Sequence, residues 1–459
     1  MTTTVAPAFT DSDTGLFFSG GILFRENGNC FLHGSHGHCI LLDDTFANQL
    51  LREQIPSALK KPLSSRGFCG STSPCGKAFQ EPRPDFFMVD LTNQCNMRCK
   101  YCLRDVNGSG RSVDERVLRE ICRYIQDYCD REHLRNVSIQ PWGGEPLLRL
   151  DAILKMKEWI RPTETKTHFS VETNGVLLNQ ETIDLLYDNR IGVGISIDGT
   201  ESCHDAQRVF ANGGKTHSLV FHNLLCAKEK YGQRLGTITT ITQLNIQHAE
   251  DILEFLAVDA GLSNVKFNFV HQSRFSCCDS LCLTPEEISS ATVRIFRKLA
   301  ELTERGFPIT ERNVITKLKN LLFNEYSDIC LSRGCHGGVK MIVFDMDGGI
   351  FPCELTDFPE ERIGNVFQGQ RDLIGTVRQA MQEKRYFQRK EAEKCAACPW
   401  HCYCMGGCSV RIMTAKNPAS DVDEIECATN CALYPEMIRW ILTRPETVNA
   451  MLGYEAVVL

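Results

Sequence analysis

The chain has 459 residues, 42% of them hydrophobic and 23% charged, the proportions of an ordinary folded protein with room for two or three domains. Its formal net charge of −7 argues against a surface built for nucleic acid or anionic lipid, either of which needs clustered excess Lys and Arg. It contains no stretch of about 18 consecutive apolar residues, and the polar opening MTTTVAPAFTDSDTG has no signal-peptide core. The sequence therefore reads as cytoplasmic and non-membrane, with residues 1–14 as a disordered tail.

In chain order, residues 15–62 read as short strands, LFFSGGILF and HCILLDD, followed by a helix, TFANQLLREQI, with Asp44 or Thr45 at its N-cap. The Pro-, Gly- and Ser-rich stretch at 63–85 reads as a linker. From 86 to 310 strand and helix alternate. The β-like segments are FFMVDLT, VSIQPWGG, THFSVETNG, IGVGISIDG, LGTITTITQL and NVKFNFVHQ. Helical patterns lie between them at 113–130, 151–161, 180–189, 217–231 and 247–259, and a sixth opens with Thr284 as cap and Pro285 in its first turn. Such alternation implies right-handed βαβ crossovers and a parallel sheet. Six units suit an α/β fold with a partial (β/α)6 barrel, in which ligands bind at the C-terminal strand ends. Segment 311–459 is irregular and rich in cysteine, with too little apolar periodicity for a core of its own, so it is expected to need a metal staple.

Cysteine is the abnormal count, at 24. A reducing compartment disfavours disulfides, which leaves metal ligation, redox chemistry or buried thiols. Cys122, Cys129 and Cys226 fall in helical patterns and read as core residues. The clustered cysteines need another account. CNMRCKYC, directly after the first strand, spaces Cys95, Cys99 and Cys102 as C-x3-C-x2-C. Three thiolates on one loop can hold three irons of a cubane and leave the fourth open, whereas zinc would take a fourth ligand from elsewhere.

This motif in this position resembles the radical S-adenosylmethionine (SAM) superfamily. The resemblance implies that the open iron chelates SAM, whose reductive cleavage yields a 5′-deoxyadenosyl radical that abstracts hydrogen, with a flavodoxin or ferredoxin as electron donor. Further matches follow in order. Tyr101 stands where the family has an aromatic near the adenine, and it also reads as a cluster-shielding hydrophobe. WGGEP supplies Gly143, Gly144 and Glu145, whose glycines allow close backbone approach and whose carboxylate would pair with the SAM amino group. ETNG places Thr173 and Asn174 at a strand end, within reach of the ribose or methionyl part. SIDG and HDAQR supply Ser196, Asp198 and Arg208, with Asp198 suited to a ribose hydroxyl and Arg208 to a carboxylate.

The later cysteines, C-x12-G-x4-C, then C-x2-C-x5-C-x3-C, then C, resemble the SPASM domain, which carries two auxiliary 4Fe–4S clusters. The resemblance assigns Cys330, Cys335, Cys353 and Cys408 to one cluster, and Cys395, Cys398, Cys404 and Cys427 to the other, with Cys431 competing for the last place. Cys402 reads as a free thiol, and Cys69, Cys75, Cys277, Cys278 and Cys282 have no place in the pattern. Glu354 follows Cys353 where sulfatase-maturating relatives have a basic Asp, and it also reads as a hydrogen-bond acceptor beside the cluster. The 15–62 segment resembles the small winged-helix elements that hold the leader of a precursor peptide. Together these imply a radical SAM maturase of a ribosomally made peptide that forms a thioether cross-link. Formylglycine formation in a sulfatase, carbon–carbon cross-linking and a zinc-stapled binding scaffold are the alternatives.

Overall fold

The computed structural model describes residues 1–10, 17–34, 37–69, 81–104, 110–271, 279–325, 328–331, 333–356, 358–368, 371–388, 392–415 and 421–457. The chain opens with a strand, β1 (Thr2–Ala6), and not with the disordered tail expected for 1–14. The β-branched run TTTV suits an extended edge, and β1 pairs antiparallel with β2 (Gly21–Glu26) from Thr2 opposite Arg25 to Ala6 opposite Gly21. β2 turns at Asn27–Gly28, both with positive φ (52° and 82°), into β3 (Asn29–His33). β4 (Cys39–Asp43) closes this sheet and leads into α1 (Asp44–Leu51). The N-cap of α1 is Asp43, one residue before the expected Asp44 or Thr45, and its carboxylate accepts from the Phe46 N–H at 2.8 Å. A second helix, α2 (Lys60–Ser65), follows. Leu23, Leu32, Leu42, Leu50, Leu63 and Phe68 share one small core, so the start of the expected 63–85 linker is part of this unit.

The second sheet begins with β5 (Phe86–Thr92) and repeats a strand–helix unit. The order is α3 (Glu115–Arg131), β6 (Asn136–Gly143), α4 (Leu150–Trp159), β7 (Lys166–Thr173), α5 (Gln180–Asp188), β8 (Ile191–Ser196) and α6 (His217–Tyr231). It continues with β9 (Gly236–Ile241), α7 (Ala249–Glu254), β10 (Asn264–Phe269) and α8 (Pro285–Glu304). Strands β5 to β10 neighbour one another in chain order and all pair in parallel, the arrangement of a (β/α)6 partial barrel. Thr284 caps α8 in a full capping box with Glu287. Along β8, Ile191, Val193 and Ile195 are buried, and the alternate positions are Gly192, Gly194 and Ser196. With Gly236 on β9 opposite Gly194, this leaves that face of β8 and of the start of β9 thinly furnished with side chains.

Segment 311–459 does not stand apart from the barrel. A two-residue strand, β11 (Thr310–Glu311), pairs in parallel with β10 and leads directly into α9 (Arg312–Phe323). β12 (Met341–Phe344) pairs in parallel with β5 at the opposite edge, and β13 (Gly349–Phe351) and β14 (Gly364–Asn365) extend that edge antiparallel. Helices α10 (Leu373–Glu383), α11 (Glu424–Thr443) and α12 (Pro445–Leu452) complete the chain. The segment shares the barrel's core rather than building one of its own. Leu433, Met437, Ile438 and Ile441 of α11 belong to the main core, between α8 and the strands β2 and β3. A helix packed on two sides carries apolar residues on more than one face, which erases the single-face period. Lys317 of α9, 3% exposed, is ion-paired to Glu426 and hydrogen-bonded to Asn430 of α11.

Candidate functional site

The loop after β5 carries Cys95, Cys99 and Cys102, and backbone bonds hold it from two sides. Arg98 N–H donates to the Val209 carbonyl (2.8 Å) and Lys100 N–H to that of Gln207 (2.9 Å). From the end of β6, Gly144 N–H donates to Thr92 O (2.7 Å) and Glu145 N–H to Gln94 O (2.8 Å). A Cβ at Gly143, where φ is +142°, would run into the Thr92 carbonyl, and one at Gly144 into the Gln94 carbonyl. The two glycines are therefore what lets the end of β6 lie against the cysteine loop. N–H groups point at the sulfurs: Met97 N to Cys95 Sγ at 3.4 Å, Asn174 Nδ2 to Cys95 Sγ at 3.8 Å and Arg208 Nη1 to Cys99 Sγ at 3.9 Å. Burial nevertheless pushes the Cys99 thiol up to about 12, so a thiolate there needs a metal to hold it. Three thiols near enough to act on one another's charge, with donors aimed at two of them, fit a cluster site with one open iron.

Two buried carboxylates organise the surroundings. Glu145, 1% exposed, accepts from Leu147 N (3.0 Å), Thr173 Oγ1 (2.7 Å) and Asn174 N (2.8 Å). Burial raises its pKa against those three bonds. Asp198, 0% exposed, accepts from Tyr101 Oη (2.8 Å), Gln207 Nε2 (2.7 Å), Arg208 Nε (2.9 Å) and Thr240 N (2.8 Å). Three side-chain donors converge on one of its oxygens and a backbone N–H on the other, so it fixes Tyr101 and Arg208 beside Cys99. The Thr173 hydroxyl donates to Glu145 and accepts from Gly175 N (3.1 Å). Tyr101 also lies under the Arg208 guanidinium, 5.4 Å from ring centre to Cζ. Ser196 stands half-buried at the end of β8, two residues before Asp198.

Sequence reasoning missed Gln207 and His204. Gln207 joins Asp198 to the Thr240 carbonyl, and His204 Nδ1 accepts from Asp198 N at 3.2 Å. The signal was there in H-x2-Q-R, which puts His204, Gln207 and Arg208 on one side of a helical turn. Glu172 on β7 was also missed. It is half-buried, desolvation raises its pKa, and it lies within electrostatic reach of Lys266 and Glu354.

The C-terminal cysteines fall into two groups. Cys330, Cys335, Cys353 and Cys408 act on one another's charge, and Tyr386 Oη lies 2.9 Å from Cys335 Sγ. Glu354 Oε2 accepts from the Cys353 thiol at 3.1 Å. In the second group Cys398 senses Cys427, Cys404 senses Cys398, and Cys431 is hydrogen-bonded to Cys427. Cys395 sits one turn before Cys398, and Cys427 and Cys431 lie one turn apart on α11, so the group offers five thiols. The groups are joined by Asp423, which accepts from Cys408 N (2.9 Å) and Arg411 Nε (2.7 Å) and caps α11 just before Cys427. Cys402 is 1% exposed in the main core, and Cys69 packs against the N-terminal core. Cys282 is half-buried, whereas Cys75, Cys277 and Cys278 lie outside the described residues. Among the described residues no three His, Cys, Asp or Glu side chains converge as they would around a single ion. Cubane thiolates each hold a different iron and stand farther apart.

The profile of the Radical SAM superfamily matches residues 89–256, the span from β5 through α7. The chain contains a radical SAM domain. Its cofactors are a 4Fe–4S cluster and SAM. Among curated proteins, this radical SAM chain is 24% identical over 384 residues to the cysteine-type anaerobic sulfatase-maturating enzyme of Clostridium perfringens strain 13, covering 79% of this chain and 97% of that one. It is 23% identical over 338 residues to the serine-type enzyme of Klebsiella aerogenes, covering 72% and 80%. Among solved structures, native anSMEcpe with bound AdoMet and the Cp18Cys peptide superposes with a TM-score of 0.66 at 20% identity, over 81% of this chain and 100% of that one. Streptococcus suis SuiB bound to its precursor peptide SuiA gives 0.54 at 14% identity, over 88% and 97%. These likenesses establish the shared fold. No helix among the described residues is long and apolar enough to cross a membrane.

Proposed function

We propose that this radical SAM chain matures a ribosomally made precursor peptide and closes a thioether between a cysteine sulfur and a carbon of that peptide. The observation that carries this reading is the placement of two thiol-rich groups around one sheet. The Cys95–Cys99–Cys102 loop stands at the C-terminal end of β5, and the Cys330–Cys335–Cys353–Cys408 group lies at the adjoining β12–β13 edge. When bound, the clusters held by these thiols and SAM would supply the one-electron chemistry for hydrogen abstraction from the peptide and for the net two-electron oxidation that a C–S bond requires. Glu145 and Arg208 orient the cofactor, and Asn174 and Arg208 hold the sulfurs of Cys95 and Cys99. Glu354 accepts the proton that the substrate thiol loses. Cys395, Cys398, Cys404 and Cys427 hold the second auxiliary cluster, with Cys431 as the competing ligand. The β1–β4 unit takes the leader of the precursor, and a flavodoxin or ferredoxin supplies the reducing electron.

The similarity to sulfatase-maturating enzymes favours a second reading, oxidation of a Cys or Ser to formylglycine. Anaerobic incubation with SAM, a reductant and Cys-bearing peptides encoded beside the gene, followed by tandem mass spectrometry, separates the two. The thioether reading expects the loss of two hydrogens per cross-link and a ring that resists fragmentation. A linear product carrying an aldehyde in place of a Cys side chain would replace it with the second reading.

A further inference from the structure

The end of the barrel remote from the cysteine loops holds a recess of about 430 Å³ between the end of α4 and the starts of β7 and β8. Lys157, Arg161 and Arg190 line it, with Thr165, Thr167 and a single carboxylate, Asp188. The eight residues of β7, at about 3.3 Å each, put it about 26 Å from the strand end that carries Thr173, so it is no part of the site described above. Among the described residues none of the three cations forms an ion pair. The Lys157 amine rests 4.8 Å over the Phe169 ring, and burial together with the charges of Arg190 and Arg161 holds its pKa below the usual lysine range.

One further observation points to a ligand. The Thr165 hydroxyl is buried in a residue only 9% exposed and has no hydrogen-bond partner. Arg190 takes φ +55° just past the end of α5, where its N–H donates to the Tyr187 carbonyl (2.8 Å). Cations after a helix C-terminus complement its dipole, which accounts for each of these residues singly. It does not account for their convergence on one concavity that Thr165 also lines, on a chain whose net charge is −7.

We propose that this recess binds a small polyanion bearing phosphate groups, with Lys157, Arg161 and Arg190 as its charge partners. The site is independent of the peptide chemistry and is tested without it. The full chain, purified anaerobically with its clusters, is titrated calorimetrically with tripolyphosphate at low ionic strength. Saturable binding at one site is expected, weakened at least tenfold by Arg161→Ala and by Arg190→Gly. The glycine variant suits a positive φ, so its thermal midpoint without ligand should equal or exceed the parent's, which separates loss of the site from loss of the fold. A parallel titration with ATP tells whether the phosphates alone are recognised, by equal affinity, or a nucleoside as well, by tighter binding. Absence of saturable tripolyphosphate binding, or affinities within twofold of the parent in both variants, overturns the proposal.

Discussion

Asp198→Asn is the substitution that most sharply separates a positioning carboxylate from a cofactor ligand. In the parent one oxygen receives Tyr101, Gln207 and Arg208, and the other receives the Thr240 N–H. Asparagine removes the charge and turns an NH2 group toward donors whichever way it is placed. The Arg208 side chain, 8% exposed, is then left without its counter-charge. Breaking a buried pair from one side costs about 3–5 kcal/mol, because the remaining charge stays desolvated. Urea unfolding of the full chain should show a loss of that size. In the Asp198→Asn, Arg208→Met double variant the orphan cation is gone, so the combined loss should fall short of the sum of the single losses by about 2 kcal/mol, within the range for directly interacting residues. A single-variant loss under about 1 kcal/mol, or an additive double variant, would refute the reasoning, since an exposed ribose ligand would behave in that way.

Gly144→Ala should cost the chain about four irons by pushing the Gln94 carbonyl and the cysteine loop away, with far-ultraviolet circular dichroism unchanged; full iron content would show that the loop tolerates the methyl. Cys408→Ala and Cys398→Ala should each remove about four irons, but the paramagnetic resonance signals they delete should differ, and loss of the same signal from both would collapse the two groups into one. Burial holds the His33 and His204 rings down at about 3 each, so both are neutral in the fold and titrate near 6.5 once unfolded. Their contribution is therefore full above about pH 6.5 and is lost as pH falls from there toward 3, by about 1.4 kcal/mol per pH unit for each ring. A thermal midpoint that stays level between about pH 7 and pH 5 would contradict it.

The alternation from 86 to 310 was legible because most of its helices bury one side and its strands are short apolar or alternating runs set between them. α8 is the clearest case, with Thr284, Pro285 and Glu287 spelling out its start. α11 was not legible. Its apolar residues face α8 on one side and β2 and β3 on the other, and Pro435 lies inside it. β1 escaped notice because four of its five residues are exposed, so nothing but the pairing with β2 defines it. At the site, the cysteines, Gly143, Gly144 and Glu145 were readable from residue type and spacing. The hub at Asp198 was not, because a carboxylate at a strand end looks the same whether it faces a ligand or turns inward to Gln207 and Thr240. That choice is made by residues 9 and 42 positions away in sequence.

The central claim is that three sets of thiols in this chain hold iron–sulfur clusters rather than zinc. It is tested most directly by metal and acid-labile sulfide analysis of the anaerobically purified protein, with Mössbauer spectroscopy of an iron-57 sample. The account predicts a brown protein with about twelve irons and about as many sulfides, all in 4Fe–4S form. A colourless protein with about two zinc ions and no sulfide would contradict it.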